Sequence, residues 1–152
     1  WMYKLNQEEI LELVIINDNE IIKAFTLKSD GWYNCKIPLT GTPCDGDEKA
    51  DSNSLKSFID DFSTIKVISS VQLNLMFEED YAIYGLGLDA PYVDVKTFSK
   101  DQFGVNTIYN TSLSIGKINE EKTGYYAVAA ETKDVILIEK EWAEKILSFI
   151  TK

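Results

Sequence analysis

Short apolar runs separated by turn residues make up the first part of the chain. Residues 10–16 are apolar except for one acid, which is typical of a buried strand. Residues 17–20 carry Asn and Asp side chains that favour turns, and residues 21–28 then return as a second strand. A turn at residues 29–31 leads to a third strand over residues 32–37. The pattern therefore predicts an antiparallel meander.

An amphipathic helix is predicted after this meander. Residues 38–50 are rich in Pro and Gly and predict a loop. Asp51 or Ser52 can cap the following helix, because either side chain can accept hydrogen bonds from its first amides. An apolar stripe at three- and four-residue steps could line a ligand pocket, but we expect it to pack against the meander. The stripe consists of Leu55, Phe58, Ile59, Phe62 and Ile65.

A glycine–proline joint occupies residues 84–92, near the middle of the chain. Before it, residues 67–76 partly alternate and predict a strand or an extended connector, and residues 77–84 predict a short helix. Gly85 suits the left-handed residue that ends such a helix. Pro91 favours an extended conformation at the preceding residue and so predicts the start of a strand.

The second half of the chain again predicts strands followed by a helix. A polar loop at residues 99–106 and a charged turn at residues 116–123 separate alternating or apolar segments. Residues 140–150 predict a helix whose apolar face carries Trp142 and Phe149. The predicted strands are residues 92–98, 107–115, 124–130 and 134–138.

The two halves, residues 1–76 and 77–152, share one order of elements: a meander and then one amphipathic helix. Residue identity between the halves is weak, so an internal duplication rests on this order alone. The sequence predicts a single α+β domain over residues 1–152, with antiparallel sheet covered by helices. The sequence contains no glycine-rich dinucleotide-binding or phosphate-binding loop.

Length and composition agree with one folded domain. With 152 residues, 45% of them hydrophobic, the chain can bury roughly two-thirds of its unfolded surface. Its apolar runs are far shorter than the roughly 20 residues that a membrane-spanning helix requires. We interpret the start at Trp1 as that of a trimmed chain, from which an N-terminal membrane anchor could have been removed.

The charge of the chain excludes several functions. Acidic residues outnumber basic ones by 25 to 15, which gives a net charge of −10. A phosphate-rich partner would be repelled, so we expect no binding of nucleic acid. The chain has no histidine, which is the commonest general base and the commonest zinc ligand. We therefore expect neither an enzyme nor a bound cofactor.

The two cysteines, Cys35 and Cys44, flank a stretch rich in Pro and Gly. They lie nine positions apart, whereas a redox-active pair usually has two intervening residues. A disulfide that closes the loop and a pair of unlinked thiols are equally compatible with the sequence. A disulfide would indicate an extracytoplasmic domain.

Several short stretches match a family pattern in their order and spacing. In the first half these are Asp30-Gly31-Trp32 and Ala50-Asp51. In the second half they are Tyr84-Gly85-Leu86, Leu88-Asp89-Ala90-Pro91, Leu113-Ser114-Ile115-Gly116-Lys117 and Gly124-Tyr125-Tyr126-Ala127-Val128. Together they resemble bacterial domain-of-unknown-function family 4340, and the match covers most of the chain. The chain departs from the family pattern by two additional residues, Gly87-Leu88, inside the joint.

The resemblance implies a location and an architecture. Members of that family are typically tethered by an N-terminal membrane helix and are often encoded beside ABC-type transport ATPases and gliding-motility-like components. The resemblance therefore implies a membrane-anchored, extracytoplasmic domain, and it brings no catalytic residues. The shared residues also have structural explanations, since glycines allow turns and proline stiffens the start of a strand. We assign such structural roles to Trp32, Asp51, Tyr84, Gly85, Leu86, Asp89, Pro91, Gly116, Gly124 and Tyr126.

Two groups of acidic side chains are candidates for a site. Residues 45–53 could offer oxygen ligands to calcium, but they lack the glycine and glutamate of the helix-loop-helix calcium pattern. We therefore expect a solvated turn there and no metal. Acids near the joint could form the carboxylate pair of a glycosidase, although a chance grouping is expected in so acidic a chain. These acids are Glu78, Glu79, Asp80 and Asp89.

Tyrosines form the third candidate site. They could stack on sugars or peptide side chains, or they could simply pack within strands. They are Tyr81, Tyr84, Tyr92, Tyr125 and Tyr126. We expect a non-catalytic module that binds protein partners in a transport or surface-assembly system. A small-ligand or glycan-binding module that uses these tyrosines is the alternative, and a carboxylate-based hydrolase ranks last.

Overall fold

Two meanders lie side by side in the computed structural model, which describes residues 4–39, 41, 44–75, 77–130 and 132–150. The described helices are α1 (Ser52–Phe62), α2 (Glu78–Tyr81) and α3 (Lys140–Ile150), with short 3₁₀ turns at Gln7–Glu9 and Ala82–Tyr84. None of these described helices is long and apolar enough to cross a bilayer. The described strands are β1 (Ile10–Asn17), β2 (Glu20–Lys28), β3 (Gly31–Asn34), β4 (Glu48–Lys49), β5 (Val67–Gln72), β6 (Tyr92–Lys100), β7 (Asn106–Ile118), β8 (Gly124–Ala129) and β9 (Val135–Glu139).

The described strands form one antiparallel sheet in the order β4-β3-β2-β1-β6-β7-β8-β9-β5. The first meander, β1 to β4, joins the second, β6 to β9, where β1 pairs with β6 and Leu13 lies opposite Val95. Strand β5 comes from the first half but pairs with β9 at the far edge, with Val67 opposite Ile138. The predicted α+β class with antiparallel sheet is confirmed, and both meanders belong to one continuous sheet.

The main hydrophobic core lies between one face of the sheet and the helices α1 and α3. Both helices bury the apolar stripe that the sequence predicts. Phe58 of α1 stacks on Phe149 of α3 with ring centroids 4.1 Å apart, and Trp142 Nε1 donates a hydrogen bond to the Asp61 carbonyl at 2.8 Å. Each fully buried large apolar side chain contributes roughly 1.5–3 kcal/mol. This face of the sheet and its two helices therefore form the stable base of the fold.

Asp51 is the residue that caps α1. Its carboxylate accepts hydrogen bonds from the amides of Asn53 and Ser54, at 3.2 and 3.3 Å. Of the two predicted cap candidates, Asp51 takes this role and Ser52 is the first helical residue. Ile65, the last member of the predicted stripe, lies beyond the end of α1 and is nevertheless buried.

A disulfide between Cys35 and Cys44 fastens a loop over the opposite face of the sheet. The two Cα atoms are 5.7 Å apart, and both residues pack with Ala24 of β2 in a small second core. Closing a loop of this length stabilises a fold by roughly 2–3 kcal/mol in the loop-entropy model. The disulfide is consistent with an oxidising, extracytoplasmic compartment.

Some predicted boundaries in the first half are wrong. The third strand ends at Asn34 and not at residue 37, because the Cys35 amide makes the last hydrogen bond to β2, with the Ala24 carbonyl at 2.8 Å, and the backbone then turns to the loop. The Lys36 amide then donates to the Asp45 carbonyl at 2.6 Å. The predicted loop 38–50 contains the edge strand β4, and its residues 40, 42 and 43 lie outside the described part. The ambiguous segment 67–76 contains the strand β5, and its residue 76 also lies outside the described part.

The predicted loops of the second half are too long. Strand β6 continues to Lys100, and β7 runs from Asn106 to Ile118. The predicted loop 99–106 is therefore a tight turn between two long strands. The predicted turn 116–123 begins only after Ile118. The first error arises because the end of β6 and the start of β7 are half-buried or exposed and show no clear alternation of apolar and polar residues. The second arises because Gly116 and Lys117 are typical of a turn in sequence, although both belong to β7.

Candidate binding site

The joint lies against strand β7, and glycines permit the contact. Gly85 ends the 3₁₀ turn in the left-handed conformation with φ +72°. A Cβ atom on Gly116 would overlap the Tyr84 carbonyl oxygen, and one on Gly85 would lie 2.7 Å from the Lys117 amide nitrogen. The two backbones therefore approach so closely that only glycine fits on both sides.

The joint also packs on strand β8. The Tyr84 ring contacts the Tyr126 ring with centroids 4.9 Å apart, and Leu86 is buried. Farther along β8, a Cβ atom on Gly124 would lie 2.5 Å from the Ile138 carbonyl oxygen. Pro91 follows the joint, and its carbonyl accepts a hydrogen bond from the β7 backbone at 3.1 Å.

The remaining residues of the family resemblance lie elsewhere in the fold. Trp32 is in β3, and its carbonyl accepts a hydrogen bond from the Ala50 amide at 3.0 Å. Asp51 follows immediately as the cap of α1. Asp89 is exposed on the joint. The resembling stretches thus form two separate contacts, one around the joint and one at the start of α1.

A cleft of about 670 Å³ lies between the joint and the sheet. Leu86 and Leu88 line it from the joint, while Tyr92 and Val128 line it from the sheet. Val128 lies opposite Ser114 in the β7–β8 ladder, and Tyr92 lies opposite Ser114 in the β6–β7 ladder. Most of the lining is apolar, and the volume is typical of sites for small molecules or side chains.

Tyr81 fixes the wall of the cleft. Its hydroxyl donates a hydrogen bond to the Leu75 carbonyl at 3.0 Å, and the Lys133 carbonyl at 3.4 Å is a second acceptor nearby. Burial raises the pKa of Tyr81, and the nearby Asp134 carboxylate raises it further. The hydroxyl is therefore a hydrogen-bond donor that links the end of α2 to residue 75 and lies close to residue 133.

The tyrosines proposed from the sequence do not form one surface. Tyr81 and Tyr92 line the cleft, whereas Tyr84 and Tyr126 pack against each other. Tyr125 points to the opposite face of the sheet, where its hydroxyl donates to Glu144 Oε2 of α3 at 3.2 Å. Alternation along β8 explains the separation, because consecutive side chains point to opposite faces.

The acids near the joint are divided in a similar way. Glu79 and Asp89 line the cleft, and Asp80 does not. The side chain of Glu78 lies outside the described part. A glycosidase pair would therefore consist of Glu79 and Asp89, and both are exposed or at the rim. Exposed carboxylates are ordinary surface groups of so acidic a chain.

The acidic segment 45–53 is engaged in other contacts. Lys36 Nζ lies 3.8 Å from Asp45 Oδ2 and 3.9 Å from Asp47 Oδ2. Asp51 caps α1 and directs its carboxylate to backbone amides. Within the described ranges, no group of three or more Cys, Asp or Glu side chains could hold a metal ion.

The hairpin of β6 and β7 forms a second candidate surface, which the sequence reasoning missed. β6 pairs with β1 only up to Thr97, and β7 pairs with β8 only from Leu113 onward. Residues 97–109, here called the arm, therefore begin at the last residue of β6 that pairs with β1 and continue past both neighbouring strands. Phe103 is 81% exposed and Val105 is 56% exposed at its tip. The signal in the sequence is that Phe103 and Val105 stand among the polar residues of the predicted loop 99–106.

The tip of the arm has a defined conformation. Asp101 Oδ1 accepts hydrogen bonds from the amides of Phe103 at 2.8 Å and Val105 at 2.9 Å. The Gly104 amide donates to the Asp101 carbonyl at 3.0 Å, and the Asp101 amide donates to the Val105 carbonyl at 3.0 Å. Ile108 and Tyr109 are also exposed along β7. The arm therefore presents apolar side chains from a backbone that is already ordered.

Comparison of the chain with protein-family models, with curated proteins and with solved structures gave no match. The resemblance described from the sequence therefore stays a prediction. The cleft and the arm are interpreted from their geometry and chemistry alone.

Proposed function

We propose that this chain is a non-catalytic protein-interaction domain and that the arm is its main contact surface. The observation that carries the proposal is the exposure of Phe103 and Val105 at a projecting tip. Water-exposed aromatic and aliphatic side chains cost solubility, and clusters of them mark interaction sites. Buried aromatic anchors commonly supply most of the affinity of a protein interface.

The order of the arm supports the same proposal. The tip is held by the Asp101 hydrogen bonds, so its side chains lose little conformational freedom on binding. Lys100 precedes the turn, and the arm residues 97–109 contain one lysine and one aspartate in a chain of net charge −10. The arm itself is thus neutral within an acidic chain, which lowers the repulsion that an acidic partner meets there.

We place the domain outside the cytoplasm, as the soluble part of a membrane-anchored transport or surface-assembly component. Two observations support this location. The disulfide between Cys35 and Cys44 suits an oxidising compartment, and the resemblance to a tethered bacterial family implies an upstream anchor. A full-length gene without any hydrophobic segment before Trp1 would contradict the anchoring.

Site-specific photo-crosslinking tests the interaction. A photoreactive amino acid replaces Phe103 in the full-length protein in its own cells, and the same amino acid replaces Leu73 as a matched control. Leu73 is 65% exposed and lies outside the arm and the cleft. We expect a discrete adduct with one protein from position 103 and no such adduct from position 73. The same adducts from both positions, or no adduct from position 103, would contradict the assignment of the arm as the contact surface.

A ligand-binding module is the second candidate, and the cleft favours it. Its volume of about 670 Å³ and the rings of Tyr81 and Tyr92 suit a small apolar or sugar-like molecule. A thermal-shift and glycan-array screen tests this candidate. A genuine ligand would raise the Tm of the wild type and of Leu73→Asp but not of Leu88→Asp. A screen without such a ligand leaves the interaction domain as the function.

We also propose that the two meander-plus-helix units derive from one ancestral unit. β1 and β6 are antiparallel neighbours at the centre of the sheet, with the remaining strands of each meander extending outward. Helices α1 and α3 each have 11 residues and lie on the same face. Both relations suit a pseudo-two-fold axis normal to the sheet between β1 and β6. Rotation about that axis should superpose the units, and failure to superpose would refute a duplication.

A further inference from the structure

We infer that the arm of one copy of this chain inserts its tip into the cleft of a second copy, so that copies associate head to tail. The inference rests on the proposed function, because it takes the arm as the contact surface. It goes further by naming the partner as a second copy and the receiving site as the cleft. Four properties of the chain lead to this inference.

The first property is the apolar character that the tip and the cleft share. Phe103 and Val105 project from the tip with most of their surface in water. The cleft offers about 670 Å³ lined by Leu86, Leu88 and Val128, among other apolar side chains. Transfer of the two tip side chains into such a cleft removes apolar surface from water on both sides of the contact.

The second property is the distribution of charge. The cleft carries the carboxylates of Glu79 and Asp89 and one cation, Lys133. Lys100 stands at the base of the tip, on the strand that ends in the turn. Asp101, the one acid of the arm, directs its Oδ1 to the Phe103 and Val105 amides within the turn. A tip that enters the cleft therefore brings Lys100 toward a rim with an excess of one negative charge. Such complementary charge selects an orientation more than it supplies affinity.

The third property is the separation of the two surfaces within one chain. Tyr92, at the start of β6, lines the cleft, whereas Lys100, at the end of β6, borders the tip. A strand of this length spans about 27 Å. Because both ends belong to one rigid hairpin, the arm cannot fold back into its own cleft. A tip-to-cleft contact is therefore a contact between copies.

The fourth property is that tip and cleft are different surfaces. A contact between unlike surfaces leaves one free tip and one free cleft in every dimer. Such heterologous contacts continue into open chains or close into rings. An anionic lipid surface is the alternative occupant of the arm, and vesicle binding tests it.

Two variants and a mixture test the inference. Phe103→Asp disables the tip, and Leu88→Asp disables the cleft; Leu88 is 71% exposed, so its replacement leaves the core intact. Leu73→Asp is the matched control with the same chemical change at an exposed position outside both surfaces. Sedimentation velocity of the purified proteins over a concentration series gives the mass of each assembly.

Each sample has an expected assembly mass. The mass of the wild type and of Leu73→Asp should rise with concentration, whereas each of the two site variants alone should stay a monomer. An equimolar mixture of Phe103→Asp and Leu88→Asp should form a one-to-one dimer and nothing larger. In that dimer, the intact tip of one variant occupies the intact cleft of the other.

Three outcomes would overturn the inference. The first is a wild type that stays monomeric up to about 1 mM, the weak limit of a specific contact. The second is association that survives Phe103→Asp, or wild-type association without dimers in the mixture. The third is a monomeric wild type that co-sediments with phosphatidylglycerol vesicles through Phe103, which would make the arm a lipid-binding element.

The crosslinking experiment separates this inference from the proposed function. An adduct at position 103 with twice the mass of the chain supports the head-to-tail contact. An adduct with a different protein, together with a monomeric wild type, refutes the head-to-tail contact but keeps the interaction domain. If neither kind of adduct forms at position 103, the arm is not a contact surface.

Discussion

At the scale of single residues, the contact between the joint and β7 depends on Gly116. A methyl group there would overlap the Tyr84 carbonyl oxygen, and the neighbouring Gly85 backbone prevents relief by a small shift. We expect Gly116→Ala to lower the free energy of unfolding by more than about 2 kcal/mol. Gly87→Ala is the control, because its Cβ would meet nothing closer than Asp89 Oδ1 at 3.5 Å. Urea unfolding of both variants measures the difference, and equal costs would contradict the close approach.

Asp94 gives a prediction that depends on pH. Burial raises the pKa of this carboxyl above its usual value of 3.8, and Lys96 only partly offsets the effect. A raised pKa means that the folded state binds the proton more tightly than the unfolded state does. The contribution of Asp94 to stability is therefore largest below pH 3.8 and is lost as the pH rises through the raised pKa.

Replacement of Asp94 by asparagine should remove this loss. The Tm of Asp94→Asn should exceed that of the wild type at pH 7, and the difference should shrink as the pH falls toward 3.8. Asp89→Asn, at an exposed carboxylate, controls for the removal of one negative charge from an acidic chain. A difference in Tm that stays constant across this pH range would refute the role assigned to burial.

At the scale of elements, the arm tip depends on one side chain. Asp101→Ala removes the acceptor for the Phe103 and Val105 amides, so these amides should exchange with solvent faster. Global stability should change by less than about 1 kcal/mol, because the tip is exposed and lies outside the core. Asp101→Asn keeps an acceptor oxygen and should retain slow exchange. Hydrogen exchange measured by NMR tests this prediction. Equal exchange rates of the Phe103 and Val105 amides in the wild type, Asp101→Ala and Asp101→Asn would show that the Asp101 side chain does not stabilise the turn.

The elements that the sequence predicts well are those with one buried face. The run at residues 10–16 and the stripes of α1 and α3 carry a clear pattern because the core selects apolar residues at fixed steps. The arm lacks such a pattern, since little of it is buried, and residues 99–106 therefore predict a loop. The lesson is that periodicity reports burial and not the presence of a strand.

The candidate site was only partly accessible from the sequence. The joint was recognisable from Gly85 and Pro91, because helix ends and strand starts have local chemistry. The cleft was not recognisable from the sequence, because only the strand order of the sheet brings Leu88 and Val128 to the same site. The separation of Tyr125 from Tyr126 follows from alternation alone and was available once β8 was identified.

At the scale of the whole molecule, net charge should govern how strongly copies associate. Two bodies of charge −10 at a centre separation of roughly 40 Å repel each other by about 10 kcal/mol in water without salt. One exposed ion pair between Lys100 and an acidic rim contributes only about 0–1 kcal/mol. The repulsion therefore outweighs the local attraction at low ionic strength.

Salt should consequently strengthen the head-to-tail contact. The screening length falls from about 30 Å at 0.01 M to about 8 Å at 0.15 M, which removes most of the repulsion between copies but none of the apolar burial. We expect the Kd to tighten at least about tenfold over this range, equivalent to about 1.4 kcal/mol. Lys100→Gln should follow the same trend, because it changes the local pair and leaves the net repulsion in place. Sedimentation at the two salt concentrations measures both proteins. Weaker association at higher salt would mean that charge pairing at the rim, and not burial of Phe103, holds the copies together.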